Sequence, residues 1–359
     1  MVKNSKKFFG REKELKRVFE TLNSGSSVAL IGEREIGKSS LLWAISQQAE
    51  KKLITSRKPI YFDMSQVYDE DDFYYALCSE KRYLKQVVDK LHETSLQGLI
   101  IAIDEFEIIE ELITAGKIPK NFLGYLRGLL QMNSKIAFAF AGLHTLEEMT
   151  ADYFQPFFAS VIPIHVGFME PAVTRQILAN PIQFSDNDVE TLHVTSPHAT
   201  SSKEDFLLDY KPEALDKIYE LTHGQPYLVQ LIGFVLVRRY NDQVFELGSD
   251  RDPVFTVKDV EAIINDTDFF KRGRYYFHGV WSQAKQGAKG QQAILQVLAP
   301  HPQGLSYHSA IAEVSKKGFD EKNLEEAIKT LQRHDVVEET QGRLSIIVEL
   351  FRRWLVQQM

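Results

Sequence analysis

The sequence has 359 residues and a single cysteine, Cys78, so no disulfide can close within the chain. Cys78 reads as a small apolar core residue. With one cysteine and scattered histidines there is no zinc-binding spacing. Long apolar runs are also missing. The longest, residues 136–143 and 228–237, are too short to cross a bilayer. The N-terminal "MVKNSKK" is basic, but no apolar core of a secretory signal follows it. An excess of positive charge is absent as well: the net charge is −7, which favours solubility and argues against a general nucleic-acid binder. No internal repeat is visible, and the one polar low-complexity patch is "SPHATSSKED" at 196–205. The expectation is a soluble cytoplasmic protein of two or three domains.

What is present begins with "GEREIGKSS", residues 32–40. It fits G-x-x-x-x-G-K-[ST], with Gly32, Gly37, Lys38 and Ser39 at the fixed positions and Glu33, Ile36 and Ser40 in and beside the loop. Glycines let the backbone curl so that successive N–H groups converge on phosphate. The lysine adds a point charge, and the serine hydroxyl can take a magnesium site. Residues 28–31 read as a buried strand and 40–49 as a helix, whose positive end adds to the anion site. A second motif, "GLIIAIDEFE", is an apolar run at 99–103 that ends in Asp104 and Glu105. Adjacent carboxylates at the end of a buried strand need a partner. A nucleotide-bound magnesium ion supplies one: Ser39 and Asp104 would hold the metal, and Glu105 would polarise the attacking water.

The runs at 28–31, 59–62, 99–103 and 136–141 predict strands separated by helices, and "VIPIHVG" at 161–167 adds a fifth. The fold class is therefore α/β with a mostly parallel sheet. The first domain spans 1–168. A small helical lid follows at 169–270, with helices at 212–221 and 226–240 joined by "THGQ" and another capped at Thr256. The last segment, 271–359, predicts three helices, the third over "DEKNLEEAIKTLQRHDVVEET", then a hairpin strand in "GRLSII" and a closing helix. That order is a winged-helix arrangement.

Taken in order, "FFGREKEL" at 8–15, "GEREIGKSSLL", "IIAIDEFE", "FAFAGLHTLEEM", "LTHGQPYLVQLIG" and the closing "LFRRWL" resemble the P-loop ATPases of the STAND class, AAA+-related signal-transduction ATPases, near the Orc/Cdc6 initiators. The resemblance implies that Phe9, Gly10 and Arg11 lie beside the adenine and ribose. It implies that His144 or Thr145 faces the outer phosphate, and that Gln225 and Pro226, after Gly224, sense the base or sugar. Such a protein would take ATP and Mg2+ and hydrolyse ATP slowly. Its helical and winged-helix parts would close over the P-loop domain, exposing or hiding a surface for self-assembly or for a protein effector. Glu35 stands where members often carry a base, and Arg127 and Arg175 read as surface arginines rather than arginine fingers. The alternative is a DNA-associated ATPase. From Lys289 onward, however, nine bases face nine acids, and the third helix opens with acids, whereas a phosphate-binding surface should be rich in bases.

Overall fold

The apolar runs of the first half form one sheet in the computed structural model, which describes residues 1–55, 57–78, 98–132, 136–142, 161–179 and 208–359. The strands are β1 (Ser27–Ile31), β2 (Lys58–Asp63), β3 (Leu99–Asp104), β4 (Ile136–Ala141) and β5 (Val161–His165), in the order β2-β3-β4-β1-β5. Every neighbouring pair is parallel, as the alternation of strands and helices predicts. β3 and β4 are buried along their whole length, which is why their sequences are almost unbroken apolar runs. Among the described residues β5 is an edge strand, paired with β1 alone. Val161 and Ile164 are buried while Ile162, Pro163 and His165 are exposed, and the edge tolerates Pro163, whose missing N–H would break a central ladder.

The chain divides into two compact units. The first comprises Met1–Glu33 and Gly37–Gly167. Its described helices are α1 (Glu12–Asn23), α2 (Lys38–Lys52), α3 (Glu70–Cys78), α4 (Ile108–Thr114) and α5 (Phe122–Met132). In α1, Val18, Phe19 and Leu22 form the buried stripe. One face of the sheet packs on aromatic rings: Phe73 meets Phe62 edge-on at 5.3 Å and Phe122 at 4.8 Å. Burying each such ring is worth roughly 1.5–3 kcal/mol relative to leaving it in water.

The second unit comprises Phe168–Met359 and takes in Arg34–Ile36 from the glycine-rich loop. Its described α-helices are α6 (Pro171–Ala179), α7 (Pro212–Thr222), α8 (Pro226–Asn241), α9 (Val257–Ile264), α10 (Thr267–Arg272), α11 (Arg274–Gln286), α12 (Gln291–Leu298), α13 (Tyr307–Ser315), α14 (Glu321–Arg333) and α15 (Glu349–Gln358). β6 (Asp209–Tyr210) pairs with β7 (Val254–Phe255). β8 (Leu305–Ser306), β9 (Val337–Thr340) and β10 (Arg343–Ile346) form an antiparallel sheet in the order β8-β10-β9. Thr256 caps α9 in a capping box with Asp259, as its position in the sequence predicts. The helix predicted over 320–340 is shorter than expected. It ends at Arg333, Asp335 turns the chain at φ 56°, and Val337–Thr340 becomes β9. The β-branched pair Val336-Val337 favours that outcome. α10 and α11 were not anticipated. They carry much of this unit's aromatic core: Phe277 stacks on Trp354 at 5.9 Å, and Trp354 on Phe351 at 5.8 Å. Among the described residues no helix is long and apolar enough to cross a membrane.

Candidate functional site

The loop after β1 has the backbone that its sequence calls for. Gly32, Glu35 and Gly37 have φ of 154°, 58° and 99°. Gly37 is the left-handed residue that starts α2, and a Cβ placed there would meet nothing within 4 Å, so the space it faces is open. Its positive φ is what demands glycine. Lys38 is buried, and its ammonium donates to the carbonyls of Gly32 at 2.9 Å and Glu33 at 2.8 Å. The loop thus curls around its own cation.

Ser39, one residue on, reaches the end of β3. Its hydroxyl donates to Asp104 Oδ1 at 3.1 Å, and the backbone N–H of Glu105 donates to the same oxygen at 3.1 Å. Tyr61, on β2, donates its hydroxyl to Asp104 Oδ2 at 2.9 Å. Burial pushes the Asp104 carboxyl above its ordinary value, and the hydrogen bonds from Tyr61, Ser39 and the Glu105 N–H act against that push. Burial likewise drives the Tyr61 hydroxyl up, with the negative charge of Asp104 adding to it, so the phenol stays a proton donor. Glu105 sits at φ 49°, an unfavourable position for a residue with a side chain. The N–H of Phe106 on the Ala141 carbonyl, at 3.0 Å, fixes the turn that follows. Burial is the main cause that holds the Glu105 carboxyl well above its ordinary value. The charge of Glu107 and a hydrogen bond with it come next, then Asp104 and Asp63.

Ser39 and Asp104 offer hard oxygens side by side. A magnesium ion takes such donors, keeps several waters and accepts the remaining ligands from phosphate oxygens. The pair fits that partial coordination. Among the described residues no cluster of three or more His, Cys, Asp or Glu is placed to cage a metal alone.

The other predicted residues fall in several places. Phe9 is buried, and Gly10 has φ 65°. Arg11 is buried and committed to Glu14 and to the Gly167 carbonyl, both at 2.8 Å, which ties the start of α1 to the chain just after β5. Ser40 Oγ accepts from the Val2 N–H at 2.8 Å, and Glu33 and Ile36 are buried. His144 and Thr145 lie outside the described residues. Gln225 and Pro226 belong to the second unit and start α8. Gln225 caps the helix by accepting from the Leu228 N–H at 3.0 Å, and its amide donates to the Arg34 carbonyl at 3.0 Å. Arg127 is exposed, and Arg175 pairs with Asp216 on the surface. Sequence reasoning missed Tyr61 and Glu107. The only sequence signal for Glu107 is the repeated acid in "EFE". For Tyr61 the signal is a polar tip on β2, the strand that pairs with β3.

A glycine-rich loop after an inner strand of a parallel sheet, with a serine and a carboxylate converging beside it, defines the P-loop nucleoside triphosphatase class. Solved structures share the fold. A Walker-type ATPase of Pyrococcus abyssi is 16% identical with a TM-score of 0.65, over 99% of this chain and 97% of that one. The ORC2 protein of Aeropyrum pernix, in its ADPNP–ADP complexes, is 13% identical with a TM-score of 0.56, over 97% and 94%. Its ADP form is 13% identical with a TM-score of 0.50, over 98% and 95%. At such identities the likeness is one of fold. Residues 2–207, more than half of the chain, match the family described as Novel STAND NTPase 1, and the chain belongs to that family. No curated protein matches the sequence.

Proposed function

We propose that the protein is an ATP-operated switch that binds ATP with Mg2+, hydrolyses it slowly, and changes its self-assembly or its hold on a protein effector with nucleotide state. The observation that carries this reading is the 3.1 Å approach of Ser39 Oγ to Asp104 Oδ1 beside the curled loop. Lys38 and the loop N–H groups would hold the phosphates, Ser39 and Asp104 the metal, and Glu105 would act as the base. The metal, when bound, would offset phosphate charge. Phe9, Gly10, Arg11, Gln225 and Pro226 would serve the base and sugar. The chain would be organised as a P-loop domain at 1–168, a helical lid at 169–270 and a winged helix at 271–359. Support for the winged helix is the run α12–β8–α13–α14–β9–β10.

One observation weighs against a DNA-binding role. Tyr307, at the start of α13, has its hydroxyl pushed up by burial first and then by the charges of Glu325, Glu339 and Glu321, so three acids act on this one position, which disfavours a phosphate there.

The test is nucleotide binding and turnover. Lys38→Ala should lose ATP affinity, and unchanged affinity would remove the loop from the site. Glu105→Gln should bind ATP without hydrolysing it; normal turnover would end the base assignment. Light scattering of Glu105→Gln with ADP, then with ATP and Mg2+, reads assembly. A nucleotide-independent mass, together with nucleotide-independent partner capture, would sink the switch.

A further inference from the structure

β2 lies beside β3 in parallel register, with Tyr61 opposite Ala102 and Asp63 opposite Asp104. From there Tyr61 makes three contacts, the longest of them from its hydroxyl to Met1 Sδ at 3.4 Å, and the other two bear on Asp104 and on α2. Its hydroxyl donates to Asp104 Oδ2 at 2.9 Å. Its ring meets Trp43 edge-on, with centroids 5.2 Å apart and planes at 86°. Trp43 is on α2, one turn beyond Ser39. Tyr61 therefore joins the helix that carries the serine to the carboxylate that faces it.

The division of labour at Asp104 follows from those contacts. Oδ1 receives the Ser39 hydroxyl and the Glu105 N–H. Oδ2 receives the phenol. A carboxylate turns readily about its last bond unless both oxygens are held. With Oδ2 fixed by a rigid aromatic donor, Oδ1 can point only toward Ser39. A metal that replaces the Ser39 proton at Oδ1 would find the oxygen already aimed. Outer partners of this kind typically change metal affinity about 10- to 100-fold when removed.

We propose that Tyr61 is a positioning residue for the divalent cation. It locks Asp104 Oδ2 so that Oδ1 and Ser39 Oγ form a preset pair of metal ligands. The inference rests on the reading above, that Ser39 and Asp104 hold the metal of a bound nucleotide. Tyr61→Phe is the clean perturbation, since it keeps the ring on Trp43 and removes only the hydroxyl.

The experiment uses the full chain, with Mn2+ as the spectroscopic stand-in for Mg2+. Mn2+ is titrated by electron paramagnetic resonance in saturating ADP. ADP affinity is measured separately in EDTA, and thermal unfolding is recorded for each protein. Tyr61→Phe should weaken Mn2+ about tenfold and leave metal-free ADP affinity within about twofold of wild type. Mn2+ affinity within twofold of wild type overturns the proposal, whether or not the melting temperature falls, because a purely structural tyrosine would change only the melt. Asp104→Asn separates this failure from that of the underlying reading. Loss of Mn2+ in Asp104→Asn with Tyr61→Phe unchanged overturns only the role of Tyr61. Unchanged Mn2+ in Asp104→Asn overturns both.

Discussion

Gly224 offers a measurable test of how the turn between α7 and α8 is built. Its φ is 75°, and an added Cβ would lie 2.1 Å from the Met169 carbonyl oxygen and 3.0 Å from its carbon. Both obstacles are backbone, and the Met169 N–H is itself bonded to the Gly224 carbonyl at 3.0 Å, so neither chain can step aside alone. Gly224→Ala should lose ~1 kcal/mol to the left-handed backbone. It should lose ~2 kcal/mol more to the displacement needed to clear the overlap. A loss of ~3 kcal/mol in a unit of this size lowers the melting temperature by about 6–12 °C. Gly248→Ala is the control: φ is 64° there, but a Cβ would meet nothing within 4 Å. It should lose only the backbone share, about 2–4 °C. The assay is thermal unfolding followed by tryptophan emission, since Trp281 and Trp354 both lie in the second unit. Equal losses in the two variants would refute the clash with Met169, and a loss under about 2 °C in Gly224→Ala would refute the reasoning altogether.

Two further outcomes follow from single contacts. Asp259 accepts from both the N–H and the hydroxyl of Thr256, each at 2.8 Å, and pairs with Arg251, so Asp259→Ala should destabilise the second unit by about 1–2 kcal/mol in urea unfolding, and an unchanged midpoint would refute the capping box. Burial tends to raise the Glu349 carboxyl, but hydrogen bonds from Arg352 and Arg353 outweigh it and hold the group below its ordinary value; its contribution to stability is therefore present above pH 4.5 and lost as pH falls through the depressed value, and Glu349→Gln should flatten that acid loss, as read from melting temperatures followed from pH 6 down to about pH 2.5.

Much of the architecture is legible because burial writes itself into composition. The run at 136–141 is all apolar because β4 is covered on both faces, and its predicted limits are the observed ones. Pro212 and Pro226 mark helix starts because a first-turn residue needs no N–H. The third helix of the last segment ran too far because its amphipathic pattern blends into "VVEET", and only the left-handed Asp335 and pairing with β10 end it. Within the candidate site, the loop and Asp104-Glu105 stand out because their chemistry needs fixed spacing along the chain. Tyr61 and Glu107 do not. Tyr61 comes to Asp104 through strand pairing across 43 residues, a long-range relation that no local pattern encodes. The burial that raises Glu105 is likewise a property of the packed sheet and not of the "DEFE" string.

The two carbonyl bonds of Lys38 have a thermodynamic consequence. An anion arriving at the loop does not meet an idle ammonium; it competes with the Gly32 and Glu33 oxygens that already occupy it at 2.9 and 2.8 Å. Binding at this position would be an exchange of acceptors, so an affinity measured there would be a difference between two sets of charge-assisted bonds and would understate the strength of either. A lone phosphate brings few replacement contacts and gains little from the swap. A triphosphate brings oxygens for the lysine and the loop N–H groups together. If the loop holds phosphate as proposed, its own backbone would set a threshold that favours long, highly charged ligands over short ones.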